Sequence, residues 1–141
     1  MNQKIVCTGF LLHKNKVLTI QRSFKEKFLP GFFELPGGKV DFGEDPREAL
    51  AREFHEEVNL EIEVGDPYHT FSYISDNGNR HTVDILYMVR LFNGESIENL
   101  KLSEDHIDVK WIGSNEINQY DLSDEIKKCI LKGFQSSAIY S

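Results

Sequence analysis

Three glutamates are spaced as one face of a helix requires, and carboxylates clustered in this way can bind a divalent metal. Glu53, Glu56 and Glu57 lie within five consecutive residues, so on a helix they share an arc of about 100°. Clustered like charges repel, and Mg²⁺ or Mn²⁺, hard cations that prefer oxygen ligands, would offset that repulsion. The alternative is a solvated acidic surface in which Arg52 pairs with Glu56 at i+4.

A glycine pair lies shortly before the acidic cluster. Gly37 and Gly38 precede Lys39, and a glycine backbone can approach a ligand closely and offer its own amides and carbonyls. The pattern is not a P-loop, which would need glycine at position 33 and Ser or Thr after the lysine. Residues 41–45 lack the alternating oxygen ligands of an EF-hand. The histidines show no recognisable metal spacing, and we assign them no ligand role.

The glutamates converge only if their segment is a helix, and the sequence marks both ends of one. Asp45 is a suitable cap and Pro46 suits the first helical position. The helix is predicted to end near Val58, because Asn59 tolerates the left-handed conformation of a helix end. An apolar stripe adjoins the acids, so one side of the helix should pack on a core: Leu50, Phe54 and Val58.

Period-two alternation predicts a strand at 82–92. Its odd positions are apolar, while Thr82, Asp84 and Arg90 fall on the other face. This pattern predicts a central strand buried on one face only. An Asn-Gly turn should join it to a strand at 68–74.

A second helix is predicted near the end of the chain, capped by Asp121 or Ser123 and stopped by Gly133. Four further strands are predicted from β-branched and apolar runs. They are 4–13 and 16–23, joined by a turn at Lys14-Asn15, a short strand at 33–35, and 109–112.

Composition predicts one globular domain over residues 1–141, since 40% of the residues are hydrophobic and 28% are charged. The net charge of −7 argues against a nucleic-acid polymer as partner. No run is long enough to span a membrane, and the N-terminus lacks a signal-peptide pattern. Cys7 and Cys129 show no paired-cysteine spacing, which predicts reduced thiols and a cytoplasmic protein.

Taken together, these residues resemble a known signature. Gly38, five residues, Glu44, seven residues and then Arg52 to Leu60 resemble the Nudix box of the Nudix hydrolases. The segment 33–39 resembles the one that precedes the box in MutT-like members. Asn59 stands where the family pattern has glycine, and we expect only a small stability cost from it. The resemblance implies an α/β (α+β) fold, an α/β/α sandwich around a mixed β-sheet.

The resemblance also implies a reaction, in which water splits a nucleoside diphosphate linked to another moiety with the help of Mg²⁺ or Mn²⁺. The metal ligands it implies are Glu53, Glu56 and Glu57, with a carbonyl of Gly37 or Gly38 as a further ligand.

The resemblance implies further site residues, and several of their roles are open. Arg52 would orient the glutamates, and Glu44 is either a metal ligand or a supporting residue. The general base is either Glu53 or an acid from the loop after the box, where Glu104 is favoured over Asp105. A solvated acidic turn is the alternative for that loop.

Three basic residues are predicted to contact substrate: Arg22, Lys39 and Arg80. An ordinary salt bridge is a near-equal alternative for Arg22 and for Lys39, and a solvated turn is the alternative for Arg80. Compact length and the segment before the box favour a (deoxy)nucleoside triphosphate, cleaved to the monophosphate and pyrophosphate. ADP-ribose, a dinucleoside polyphosphate, a nucleotide sugar or nucleotide binding without turnover are alternatives. The protein is expected to be a monomer or a homodimer.

Overall fold

The computed structural model describes the backbone of residues 1–140 and the side chains of residues 1–138. Within them, a seven-stranded sheet has the strand order β3-β2-β1-β6-β5, with β4 paired to β1 and β7 paired to β2. The strands are β1 (Asn2–His13), β2 (Lys16–Arg22), β3 (Phe33–Glu34), β4 (Gly37–Lys39), β5 (Ile62–Ser75), β6 (Arg80–Leu91) and β7 (His106–Ile112), and the helices are α1 (Pro46–Val58) and α2 (Asp124–Tyr140).

The sheet is mixed, because its central strands run parallel and the others antiparallel. β1 pairs in parallel with β6 along ten consecutive residues, from Asn2 to Leu11. The predicted turn at Lys14-Asn15 is confirmed, with both residues in the left-handed region. It joins β1 to β2 through two residue pairs, so the main partner of β1 is the distant strand β6.

Each face of the sheet carries one helix and one apolar core. α1 contributes Leu50, Phe54 and Val58 to the first core, and α2 contributes Cys129 and Ile130 to the second. Alternate residues of the central strands enter the two cores, as the pleat requires. The predicted α/β/α sandwich around a mixed sheet is therefore confirmed.

The prediction that β6 is buried on one face only is wrong. Thr82 and Asp84, assigned to the open face, are only 2% and 8% exposed. The reason is that α2 covers this face too, and a central strand between two helical layers is buried on both sides. The Thr8 hydroxyl donates a hydrogen bond of 2.8 Å to the Asp84 carboxyl, and burial raises the pKa of Asp84 to about 7.

α1 begins and ends where the sequence predicts. The Asp45 carboxylate accepts a hydrogen bond from the Arg47 amide, and Asn59 ends the helix with φ of 57° and ψ of 36°. The Asn59 backbone amide donates a hydrogen bond of 3.1 Å to the His55 carbonyl. The Asn59 side chain donates a hydrogen bond of 3.0 Å to the Asn99 carbonyl.

α2 extends beyond its predicted end. Ser123 caps it by accepting a hydrogen bond from the Ile126 amide, but the predicted stop at Gly133 is wrong, since the helix continues to Tyr140. A Cβ atom at Gly133 would lie 2.2 Å from the Phe10 ring. The glycine thus allows the helix to approach the sheet closely. Among the described residues, neither α-helix is long and apolar enough to span a bilayer.

Candidate active site

The three predicted metal-binding glutamates lie on α1 where it faces β4. Their side chains are 16% exposed at Glu53, 17% at Glu57 and 54% at Glu56. The Gly37 amide donates a hydrogen bond of 2.9 Å to the Glu57 carboxylate. A Cβ atom at Gly38 would lie 2.3 Å from the carboxyl carbon of Glu53. The glycine pair therefore lets two carboxylates pack directly against the backbone of β4.

Arg52 connects the acids to one another. Its guanidinium donates two hydrogen bonds to Glu44, at 2.8 and 3.0 Å, one to Glu53 at 3.1 Å and one to the Lys39 carbonyl at 3.1 Å. It also contacts Glu56 at 3.3 Å, the i+4 pair of the surface alternative. Hydrogen bonds from Arg52 lower the pKa of Glu44 to about 2. Arg52 thus holds acids in place from outside the cavity described below.

The chemistry of this donor set fits a divalent cation. Burial raises the pKa of Glu57 to about 8 and also raises the pKa of Glu53, and the charges of neighbouring acids add to both shifts. Two buried neighbouring carboxyl groups with raised pKa values favour a positive ion beside them. Glu53, Glu56 and Glu57 would hold it. The Gly38 carbonyl, 3.5 Å from the Cys7 thiol, lies on the adjoining strand.

A histidine with no role predicted from the sequence lies beside this cluster. His106 Nε2 is 3.1 Å from a Glu34 oxygen and 4.0 Å from a Glu57 oxygen. Its side chain is nearly buried, and its Nδ1 atom has no hydrogen-bond partner among the described residues. The pairing of β7 with β2 places His106 here, so no local signal could have revealed it. His106 and Asp105 line the cavity, whereas Glu104 is not among the lining residues.

A cavity of about 660 Å³ opens beside the acidic cluster, and it is large enough for a nucleotide-sized ligand. Glu57, Gly37, Gly38 and Lys39 line one end. The Phe28 and Tyr73 rings, stacked at 6.3 Å, lie at another part of its wall.

The predicted substrate-binding residues are placed differently relative to this cavity. Lys39 and Arg22 line it, and Arg80 is not among the lining residues. The Arg22 guanidinium forms an ion pair with Glu34 at 3.0 Å and donates a hydrogen bond to the Phe28 carbonyl. Arg22 therefore forms a salt bridge, which was the alternative to substrate contact, and it also lines the cavity. Arg80 lies at the exposed start of β6.

Comparison with known proteins identifies the family of this chain. Residues 3–133 match the NUDIX domain family. A Mycobacterium tuberculosis protein provisionally named 8-oxo-dGTP diphosphatase 2 is 37% identical over 124 residues, which cover 86% of this chain and 81% of that protein. An ADP-ribose pyrophosphatase from Methanocaldococcus jannaschii is 28% identical over 83% of this chain and 66% of that protein.

Solved structures show the same fold. A MutT NUDIX hydrolase from Burkholderia pseudomallei superposes with a TM-score of 0.78 and 23% identity, covering 94% of this chain and 98% of that one. The chain belongs to the Nudix hydrolase family, among its MutT-like members. Enzymes of this family generally use divalent metals, which agrees with the donor set on α1.

Proposed function

We propose that the protein hydrolyses a nucleoside triphosphate to the monophosphate and pyrophosphate, using Mg²⁺ or Mn²⁺. The observation that carries the proposal is the packing of Glu53 and Glu57 against the glycine strand β4, with Glu57 at one end of a nucleotide-sized cavity. Glu56 extends from the same side of α1. The oxygen of water bonds to a phosphorus of the pyrophosphate bridge, the bond from that phosphorus to the bridging oxygen breaks, and the water protons pass to a base and then to solvent.

The metal, when bound, polarises phosphoryl oxygens and lowers the pKa of a coordinated water. The protein's own groups hold and orient the reactants. Glu53, Glu56 and Glu57 supply carboxylate ligands, and a carbonyl of Gly37 or Gly38 is proposed to add one. Arg52 fixes the rotamers of Glu53 and Glu56 through its hydrogen bonds, which is a positioning role.

The general base is proposed to be Glu53 or Glu104. Glu53 is supported by its largely buried carboxylate, because burial raises its pKa and makes it a stronger proton acceptor than an exposed glutamate. Support for Glu104 is limited to its place beside Asp105, which lines the cavity. Separate Glu53→Gln and Glu104→Gln variants distinguish them. Only loss of the base should remove the increase of kcat with rising pH.

Substrate contacts are proposed from the lining of the cavity. Lys39 and Arg22 would neutralise phosphate oxygens beside the acidic cluster. The rings of Phe28 and Tyr73 offer apolar faces on which a nucleobase can stack. Arg80 is proposed only for the rim, since the β5–β6 hairpin to which it belongs also supplies Ile74 to the cavity wall.

The test is a hydrolysis screen with Mg²⁺ or Mn²⁺ over nucleoside triphosphates, ADP-ribose, dinucleoside polyphosphates and nucleotide sugars, with products identified by mass. We expect the highest kcat/KM for a (deoxy)nucleoside triphosphate, in keeping with the name of the Mycobacterium tuberculosis relative. Glu56→Gln should lower turnover by at least about 100-fold while the chain stays folded. A Glu56→Gln rate equal to that of the wild type would contradict the proposal. So would the absence of hydrolysis of every substrate by the wild-type protein.

ADP-ribose is the second candidate, because a relative that matches 83% of this chain is named ADP-ribose pyrophosphatase. A kcat/KM for ADP-ribose above that for every triphosphate would establish it. The proposed partner is in either case a small nucleoside diphosphate derivative, and the proposed compartment is the cytoplasm. Cys7 and Cys129 support that compartment, since both are buried free thiols.

A further inference from the structure

Three side chains of different chemistry meet on the α2 side of the sheet, away from the acidic cluster of α1. One ligand atom from each of His69, Glu125 and Cys129 lies within 4.8 Å of the others. His69 Nε2 is 3.4 Å from a Glu125 carboxylate oxygen, close to the edge of a tetrahedron of metal ligands at about 2.1 Å from their ion. Sequence spacing could not reveal this group, since 56 positions separate His69 from Glu125.

The backbone holds these groups in one place. Glu125 and Cys129 are four residues apart on α2 and so share one face of it. The neighbouring strand β5 supplies His69, whose ring stacks on Phe71 at 6.1 Å. The Tyr68 hydroxyl, also on β5, donates a hydrogen bond of 3.0 Å to the Cys129 carbonyl. Only small side-chain movements are therefore needed to bring the three ligand atoms around one ion.

The mixture of ligand types selects the ion. Imidazole nitrogen and thiolate sulfur favour Zn²⁺ and similar transition metals, whereas Mg²⁺ favours the all-oxygen set of α1. We propose that His69, Glu125 and Cys129 form a binding site for one Zn²⁺-type ion, separate from the carboxylate site of the hydrolase. Three protein ligands leave a fourth coordination position for water. The proposal does not depend on which substrate, if any, the protein cleaves.

The charges around the Cys129 thiol favour a cation. Burial, together with the charges of Asp84 and Glu125, raises the pKa of the Cys129 thiol to about 12. The groups that face the thiol from the packed elements are Asp84 on β6, Tyr68 and His69 on β5, and Glu125, Lys128 and Lys132 on α2.

Absorption spectroscopy with Co²⁺, a coloured substitute for Zn²⁺, tests the site directly. The full-length protein is freed of metals with a chelator and titrated with Co²⁺ in excess Mg²⁺, which occupies the carboxylate cluster. We expect one equivalent to give the intense visible bands of tetrahedral Co²⁺ and a thiolate charge-transfer band, both removed by Zn²⁺. Weak octahedral bands without a thiolate band would overturn the proposal.

Variants assign the ligands. Cys129→Ser should abolish the charge-transfer band, and His69→Gln should weaken Co²⁺ and Zn²⁺ binding on the order of 100-fold. His69→Gln carries the test if the buried Cys129→Ser variant does not fold. Cys7→Ser is the matched control and should bind Co²⁺ and Zn²⁺ as the wild type does. Unchanged affinity in His69→Gln, or a thiolate band lost in Cys7→Ser but kept in Cys129→Ser, would refute the assignment.

Discussion

The nearly enclosed carboxyl of Glu57 should make the metal-free protein less stable as the pH rises. Burial raises its pKa from 4.5 to about 8. Between these values the unfolded chain has lost the proton while the folded chain still holds it, so folding requires proton uptake. The stabilisation is complete below pH 4.5 and is lost as the pH rises through about 8. The corresponding free energy of unfolding is at most about 5 kcal/mol.

Glu57→Gln isolates this contribution. Glutamine is neutral, has nearly the same shape, and keeps an oxygen to accept the hydrogen bond from the Gly37 amide. Urea unfolding of both proteins in chelator, at intervals from pH 5 to 9, measures the effect. We expect similar stability at pH 5, and a variant more stable than the wild type by roughly 2–5 kcal/mol at pH 9.

A matched control comes from the same helix. Glu56→Gln removes the same charge from a side chain that is 54% exposed, so its stability should follow the wild-type curve. If Glu57→Gln declines with pH as steeply as the wild type does, the burial argument for Glu57 is wrong. The same variant should lose hydrolysis, so a gain in stability would accompany a loss of function, as expected where a site gathers like charges for a cation.

Three further perturbations follow from the packing. Arg52→Lys keeps the charge but loses the two-pronged contact with Glu44, so kcat should fall about 10–100-fold with little change in KM, and steady-state kinetics checks this. Gly133→Ala places a methyl group against the Phe10 ring and should cost about 1–3 kcal/mol in urea unfolding; an unshifted midpoint would contradict the packing. Tyr73→Ala removes a ring from the cavity wall and should raise the nucleotide KM by roughly 10-fold at constant kcat, and a kcat effect alone would argue against base stacking.

Local chemistry determines most of what the sequence predicted correctly. The ends of α1 depend on Asp45 and Asn59, which act within one turn of the helix. The placement of its glutamates on one side of the helix depends only on helical periodicity. These features belong to a single segment, so they could be predicted without knowing what packs around it.

Features that depend on distant segments could not be predicted. Asp84 resembles a solvent-facing residue of an alternating strand until α2 covers it, and Gly133 resembles a helix stop until the Phe10 ring fills the space beside it. His106 meets Glu34 across 72 positions of sequence. The strand β4 forms because β1 pairs with it, not because two glycines favour a strand. Each of these is a product of long-range packing.

Asn59 shows how a signature position can change without losing its purpose. A glycine at position 59 would adopt the left-handed backbone conformation at a free-energy cost lower by roughly 1 kcal/mol. It would, however, lose the side-chain hydrogen bond to the Asn99 carbonyl. Asparagine instead ties the end of the box to a loop forty positions away. A search pattern that demands glycine would pass over this chain, although its geometry meets the same requirement by other means.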